Sequence, residues 1–139
     1  MGEKTKEQVG KGSRAKGAGG ERELARILKD EYGYETRRGF TFNRQSDVVG
    51  LPGIHIECKR VENLNLRKAL DQSVREAKVR RDGLPVVMYR KNYRKWKVAM
   101  QLDHFLELLR VEAKAEDRSQ IVRMDLDEWM DVYGDYANE

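Results

Sequence analysis

Ser46-Asp47-Val48-Val49-Gly50-Leu51-Pro52-Gly53-Ile54-His55-Ile56-Glu57-Cys58-Lys59 decides the fold: two strand-forming runs flank a Gly-Leu-Pro-Gly turn. Successive side chains of a strand point to opposite faces, so Ile54, Ile56 and Cys58 take one face and His55, Glu57 and Lys59 the other. The first set anchors the strand on a core and the second faces a cleft. A connecting loop with an odd number of residues, such as 50–54, sets Asp47 directly across from Glu57. Opposed carboxylates repel, so their placement calls for a compensating cation. Mg²⁺ fits: it takes oxygen ligands, is commonly held by one or two carboxylates, and leaves positions for water and phosphate. Asp47, Glu57 and the backbone carbonyl of Cys58 are the candidate ligands, and Lys59 brings an ammonium to the same face. The alternative is an exposed hairpin bearing an ordinary Glu57–Lys59 charge pair. Cys58, on the apolar face, reads as a small buried filler; His55 shares the face of Glu57 and could approach the metal, but a single histidine at a strand start is more often incidental.

Working outward, the segment after Gly20 places Leu24, Ile27 and Leu28 on one helical stripe that stops near Gly33. Glu21 shares the face of Leu24, Ala25 and Leu28, which makes it a third candidate acid and a further metal ligand; the plainer role is to complement the helix N-terminus. Residues 34–42 and 46–49 read as strands before the one at 54–60, and residues 65–81 as a second helix with Leu66, Ala69, Leu70, Ser73, Val74 and Ala77 on its packing face. Val86 to Tyr89 and Trp96 to Gln101 follow as strands. Asp103 and Asp125 are candidate caps for two final helices. The order is thus αβββαββα plus a C-terminal helix, an α/β fold with a mixed sheet flanked by helices. Residues 1–19 hold five Gly and five Lys or Arg and read as a flexible basic arm. Residues 20–116 then form the functional domain and 117–139 an acidic helical extension.

Charge is polarised along these 139 residues of net charge +4. Residues 60–97 carry twelve Lys or Arg against four acids, whereas residues 103–139 carry eleven acids against four bases. A basic surface beside an acidic tail suits a binder of phosphate backbones. Arg37, Arg38 and the segment from Arg67 to Lys97, with Lys68, Arg75, Lys91 and Arg94, are the candidate DNA contacts. One cysteine excludes an internal disulfide, and with two histidines the chain lacks the makings of a structural zinc cluster. Apolar runs fall short of the roughly 20 residues that span a bilayer, so a cytoplasmic protein with no membrane partner is expected.

Gly20-Glu21-Arg22-Glu23-Leu24-Ala25, Ser46-Asp47-Val48-Val49 and Ile56-Glu57-Cys58-Lys59 together resemble the PD-(D/E)XK nuclease superfamily, most of all archaeal-type Holliday junction resolvases and their phage relatives. The likeness covers roughly residues 16–101, with Ser46 in place of the motif's proline. It implies a restriction-endonuclease-like core and a DNA endonuclease that uses Mg²⁺, with Mn²⁺ able to substitute and no organic cofactor. It also implies a homodimer acting on branched or junction DNA in a prokaryotic or phage-infected cell. By motif, Glu21, Asp47, Glu57 and Lys59 are the catalytic set, and Arg22 and Arg38 bear on DNA. Gln72 matches a glutamine that many members place on the helix after the E-x-K strand. That trait keeps open a replication or repair nuclease acting on flaps, nicks or single strands. A non-catalytic DNA-binding protein with a nuclease-like fold is the remaining alternative.

Overall fold

A computed structural model describes residues 6–40, 45–112 and 117–138, with side-chain environments from residue 17 onward. Helix α1 (Lys6–Asp30) leads into strands β1 (Arg37–Arg38), β2 (Val48–Val49) and β3 (Ile54–Arg60). Helix α2 (Leu66–Arg80) crosses to β4 (Leu84–Arg90) and β5 (Lys97–Gln101); α3 (Leu102–Leu108), β6 (Ile121–Asp125) and α4 (Leu126–Ala137) complete the chain. The strands form one mixed sheet in the order β1-β2-β3-β4-β5-β6, in which β3 and β4 run parallel and the other neighbours antiparallel. A parallel pair needs a crossover, and α2 supplies it. The α/β class and mixed, helix-flanked sheet are as expected from sequence.

Strand alternation divides the core between the two faces. Ile54, Ile56 and Cys58 of β3 and Val86 and Met88 of β4 join Leu24 and Leu28 of α1, Leu108 of α3, and Leu126, Trp129 and Tyr133 of α4 in the larger cluster. Val87 points the other way, to Ala69 and Leu70 of α2. Since β3 presents His55, Glu57 and Lys59 to the α2 side, that helix covers the polar face of the strand. Asn65 caps α2 by accepting from the Lys68 amide at 3.1 Å, and Arg81 ends it in a left-handed conformation at φ 55°. Two glycines set close approaches. Gly50 has φ 119°, and a Cβ there would lie 2.3 Å from the Glu35 carbonyl oxygen; one at Gly20 would lie 2.8 Å from Arg60 Cβ, so α1 can pack tightly on the end of β3.

Several expectations need correction. Helix α1 reaches back to Lys6, so residues 6–19 are helical backbone rather than an arm; residues 1–5 lie outside the described residues. The strand expected over 34–42 is confined to Arg37–Arg38, with 41–44 outside the described residues. Gln101 occupies the N-cap position of α3, and Asp103 sits inside the first turn, where its carboxylate accepts from the His104 amide. Asp125 does occupy the N-cap position of α4, without a side-chain cap bond. The segment 117–139 is not an appended helix: β6 pairs with β5 from Lys97↔Asp125 to Gln101↔Ile121, and α4 belongs to the main core. The element order is therefore αβββαββαβα. No helix among the described residues is long and apolar enough to cross a membrane.

Candidate active site

Val48 pairs with Ile56, and the Asp47 amide, just before β2, donates to the Ile56 carbonyl at 3.1 Å, which brings Asp47 against β3 out of step with the regular ladder. The Asp47 carboxylate turns back on the neighbouring strand and accepts from the Cys58 amide at 2.8 Å. Lys59 Nζ stands 3.6 Å from Glu57 Oε1. The other Glu57 oxygen is buried and lacks a hydrogen-bond partner. These acids open into a cleft of ≈ 150 Å³ lined by Glu21, Ser46, Asp47, Glu57, Gln72 and Glu76, among others. Sheet and α1 thus bring Glu21, Asp47 and Glu57 to one place, as the hairpin alternation and the helical spacing require.

Glu21 is held there by Arg38, whose Nε donates to it at 2.5 Å. The adjacent acid on α1, Glu23, has a different part. It accepts from Arg90 and from the Trp96 indole, and Arg60 lies 3.7 Å away. Burial raises the Glu23 carboxyl, but these donors and charges prevail and hold it below its ordinary value. Glu23 is a structural ion pair tying α1 to β3, β4 and β5.

The site holds more negative charge than it can easily ionise. Burial pushes Glu57 up to about 8, helped by the neighbouring Asp47 and Glu76 carboxylates and opposed by Lys59. Burial also raises Asp47, with the charge of Glu21 adding to it and the Cys58 hydrogen bond and Lys59 working against it. Burial raises the Cys58 thiol as well, which keeps it protonated and fits its place as a core filler.

The sign of the resulting pH dependence follows by linkage. The unfolded chain releases the Glu57 proton near the ordinary value of 4.5, the native chain only near 8, so between these pH values the native state binds more protons. Without divalent ions, stability should fall as pH rises from 5 to 8, by up to about 1.4 kcal/mol per pH unit. Melting temperatures in EDTA across that range would check this, and a flat or rising profile would contradict it. Added Mg²⁺ should offset the loss at the alkaline end by neutralising the carboxylates.

Three residues that the sequence did not single out also face the cleft region. Glu76 of α2 lines it and accepts from Gln72 Nε2 at 3.2 Å. Arg80 lines it too, with a buried Nη1 that has no partner. Asp82 meets His55 Nδ1 through both oxygens at 2.8 Å. The signal for Glu76 lay in its spacing, one helical turn after Gln72 on the face that covers β3. Among the described residues, His55, Glu57 and Glu76 have ligand atoms within 4.8 Å of one another, with Glu57 and Glu76 lining the cleft; this set differs from the expected Glu21, Asp47 and Glu57.

The candidate DNA contacts do not all stay available. Arg22, Lys68, Arg75, Lys91 and Arg94 are exposed, and Arg37 is exposed beside the Phe40 ring at 4.6 Å. Arg38 is engaged with Glu21, and Arg67 donates to the Ser119 carbonyl and lies 3.7 Å from Asp71. Gln72 is in the cleft itself.

No curated protein matches the sequence. Among solved structures the chain is similar to Archaeoglobus fulgidus Hjc, a Holliday junction resolvase from an archaeal hyperthermophile, with a TM-score of 0.46 and 20% identity over 86% of this chain and 88% of that one. Residues 12–133, from within α1 through most of α4, match the model of a family described as phage putative PDDEXK endonuclease. With nearly the whole described fold inside that match, the chain belongs to this phage PDDEXK endonuclease family.

Proposed function

We propose that this protein is a divalent-metal-dependent DNA endonuclease that hydrolyses phosphodiester bonds in branched DNA, as a Holliday junction resolvase does. The observation that carries the reading is the cleft shared by Glu21, Asp47 and Glu57, with Lys59 Nζ 3.6 Å from Glu57. Two neighbouring carboxylates, Asp47 partly buried and Glu57 buried with an orphaned oxygen, fit a divalent cation. Asp47, Glu57 and the Cys58 carbonyl would hold Mg²⁺, with Mn²⁺ able to replace it, and Glu21 would add a further carboxylate. Such an ion polarises a scissile phosphate and lowers the pKa of an attacking water.

The chain's own groups do the rest. Lys59, only partly exposed, directs its ammonium at the space beside Glu57, where it orients the nucleophile and stabilises charge developing on the phosphate. Arg38 fixes Glu21 at the rim of the cleft. The exposed Arg22, Arg37, Lys68, Arg75, Lys91 and Arg94 supply sequence-independent contacts to the DNA backbone. The resolvase reading carries with it a homodimer, which matches two active sites to the symmetry of a four-way junction.

Gln72 favours a second reading within the same chemistry, a replication or repair nuclease acting on flaps, nicks or single strands, because it lies in the cleft rather than on a solvated face. One experiment tests both. Purified protein is incubated with four-way junction, flap, nicked duplex and single-stranded DNA, in Mg²⁺ and in EDTA. Paired, symmetric nicks in the junction with Mg²⁺ alone are expected. Preferential cutting of flaps or single strands would replace the resolvase reading, and binding without cleavage of any substrate would leave a non-catalytic DNA-binding protein.

A further inference from the structure

We propose that His55, Glu57 and Glu76 form a second divalent-cation site beside the all-oxygen one, suited to an ion that accepts nitrogen, such as Mn²⁺, Co²⁺ or Zn²⁺. The inference rests on the nuclease reading only in that Glu57 is shared between the two sites; ion binding itself can be observed without cleavage.

The site is built from two elements. Alternation along β3 gives His55 and Glu57 the same face, two residues apart, and α2 lies over that face with Glu76. Gln72 holds Glu76 Oε1, while Glu76 Oε2 stands 3.9 Å from His55 Nε2. That gap is too long for a hydrogen bond and short enough for an ion between them, since metal bonds of about 2.1 Å each span ~4.2 Å. The three ligand atoms lie within 4.8 Å of one another, so small side-chain rotations close them on one centre.

The imidazole is the independent observation. His55 is fully buried, and its Nε2 has no hydrogen-bond partner. Its other nitrogen, Nδ1, lies 2.8 Å from both oxygens of Asp82; donating to that carboxylate leaves Nε2 as the nitrogen that faces Glu76, 3.9 Å away. A carboxylate behind a histidine is the usual support of a metal-ligating imidazole, orienting the ring and raising its basicity. A histidine serving packing alone would find a partner for both nitrogens, because an orphaned buried polar atom costs about 1–3 kcal/mol. Around this ring the facing groups are Glu57 from β3, Glu76 from α2 and Asp82 from the turn before β4. A cation among these acids offsets their repulsion. Imidazole in the donor set shifts preference from Mg²⁺ towards Mn²⁺, Co²⁺ or Zn²⁺.

Pulsed electron paramagnetic resonance on the full-length, metal-free protein loaded with Mn²⁺ tests the proposal, because a directly bound imidazole imprints ¹⁴N coupling on the manganese signal. The wild type should show that coupling. Glu76→Gln should weaken Mn²⁺ binding at this site at least tenfold and remove the coupling; Glu76 is one-third exposed, so the fold should persist, as circular dichroism would verify. Asp47→Asn should keep the coupling, since Asp47 serves the other site. Wild-type Mn²⁺ without nitrogen coupling, or a Glu76→Gln protein that retains both coupling and affinity, would overturn the second site. Cleavage by Asp47→Asn at the wild-type rate would instead overturn the nuclease assignment, so the two failures are told apart by different readouts.

Discussion

Glu57→Gln should lower the rate of DNA cleavage at saturating Mg²⁺ by about 10³-fold or more, because an ion at such a site contributes several kcal/mol to the transition state. The same substitution should raise the melting temperature of the metal-free protein. The two effects have one cause. Glu57 is buried near Asp47 and beside Glu76, so its charge is unfavourable until a cation arrives. Glutamine keeps the shape, removes the charge, and can donate an amide hydrogen to either neighbouring carboxylate. Were Glu57 merely the partner of Lys59 in a surface ion pair, its removal would slightly destabilise the protein and leave cleavage intact. Lys59→Met separates the roles further: it should cost about 10²–10³-fold in rate by analogy with loss of one preorganised donor, with DNA affinity preserved. Single-turnover cleavage, gel-shift affinity and thermal melts in EDTA give the three readouts. Unchanged cleavage in Glu57→Gln would sink the assignment.

What the sequence disclosed depended on how local each signal was. Strand β3 was legible to its ends, because Ile54, Ile56 and Cys58 alternate with polar residues and a Pro-Gly turn bounds one side. Counting across that turn was enough to bring Asp47 and Glu57 to one cleft. Helix α2 followed from its small and apolar stripe. Strand β6 did not show itself: Ile121-Val122-Arg123-Met124-Asp125 is a short, half-exposed strand at the sheet edge, and its partner β5 is twenty residues upstream in a pairing that only tertiary structure provides. His55 was passed over for the same reason, since its supporting acid, Asp82, lies 27 residues away. Glu76 was only one of the four acids counted over residues 60–97, and it is the packing of α2 on β3 that brings it to the cleft. The five glycines before Gly20 argued against helix, each costing up to about 1 kcal/mol relative to alanine, yet the backbone is helical from Lys6.

Trp129→Ala should destabilise the whole domain by about 3–5 kcal/mol, a large share of the ~5–15 kcal/mol that holds a typical domain together. Trp129 is fully buried, stacks on Tyr133 with ring centroids 5.3 Å apart, and donates its indole N–H to Met100 Sδ at 3.4 Å. Its cluster includes Leu24 and Leu28 of α1 and Ile56 and Cys58 of β3, the apolar backing of the elements that carry Glu21 and Glu57. Tyr133 extends the connection by donating to the Pro52 carbonyl in the turn between β2 and β3. Loss of the indole therefore opens a cavity behind the hairpin that carries the proposed site, and activity should fall with folded population rather than through the chemistry. Chemical denaturation monitored by circular dichroism should show one cooperative transition shifted to lower denaturant, with residual cleavage tracking the folded fraction. A cost below about 1 kcal/mol, or a separate early transition confined to the C-terminal residues, would mean that α4 is an appendage after all.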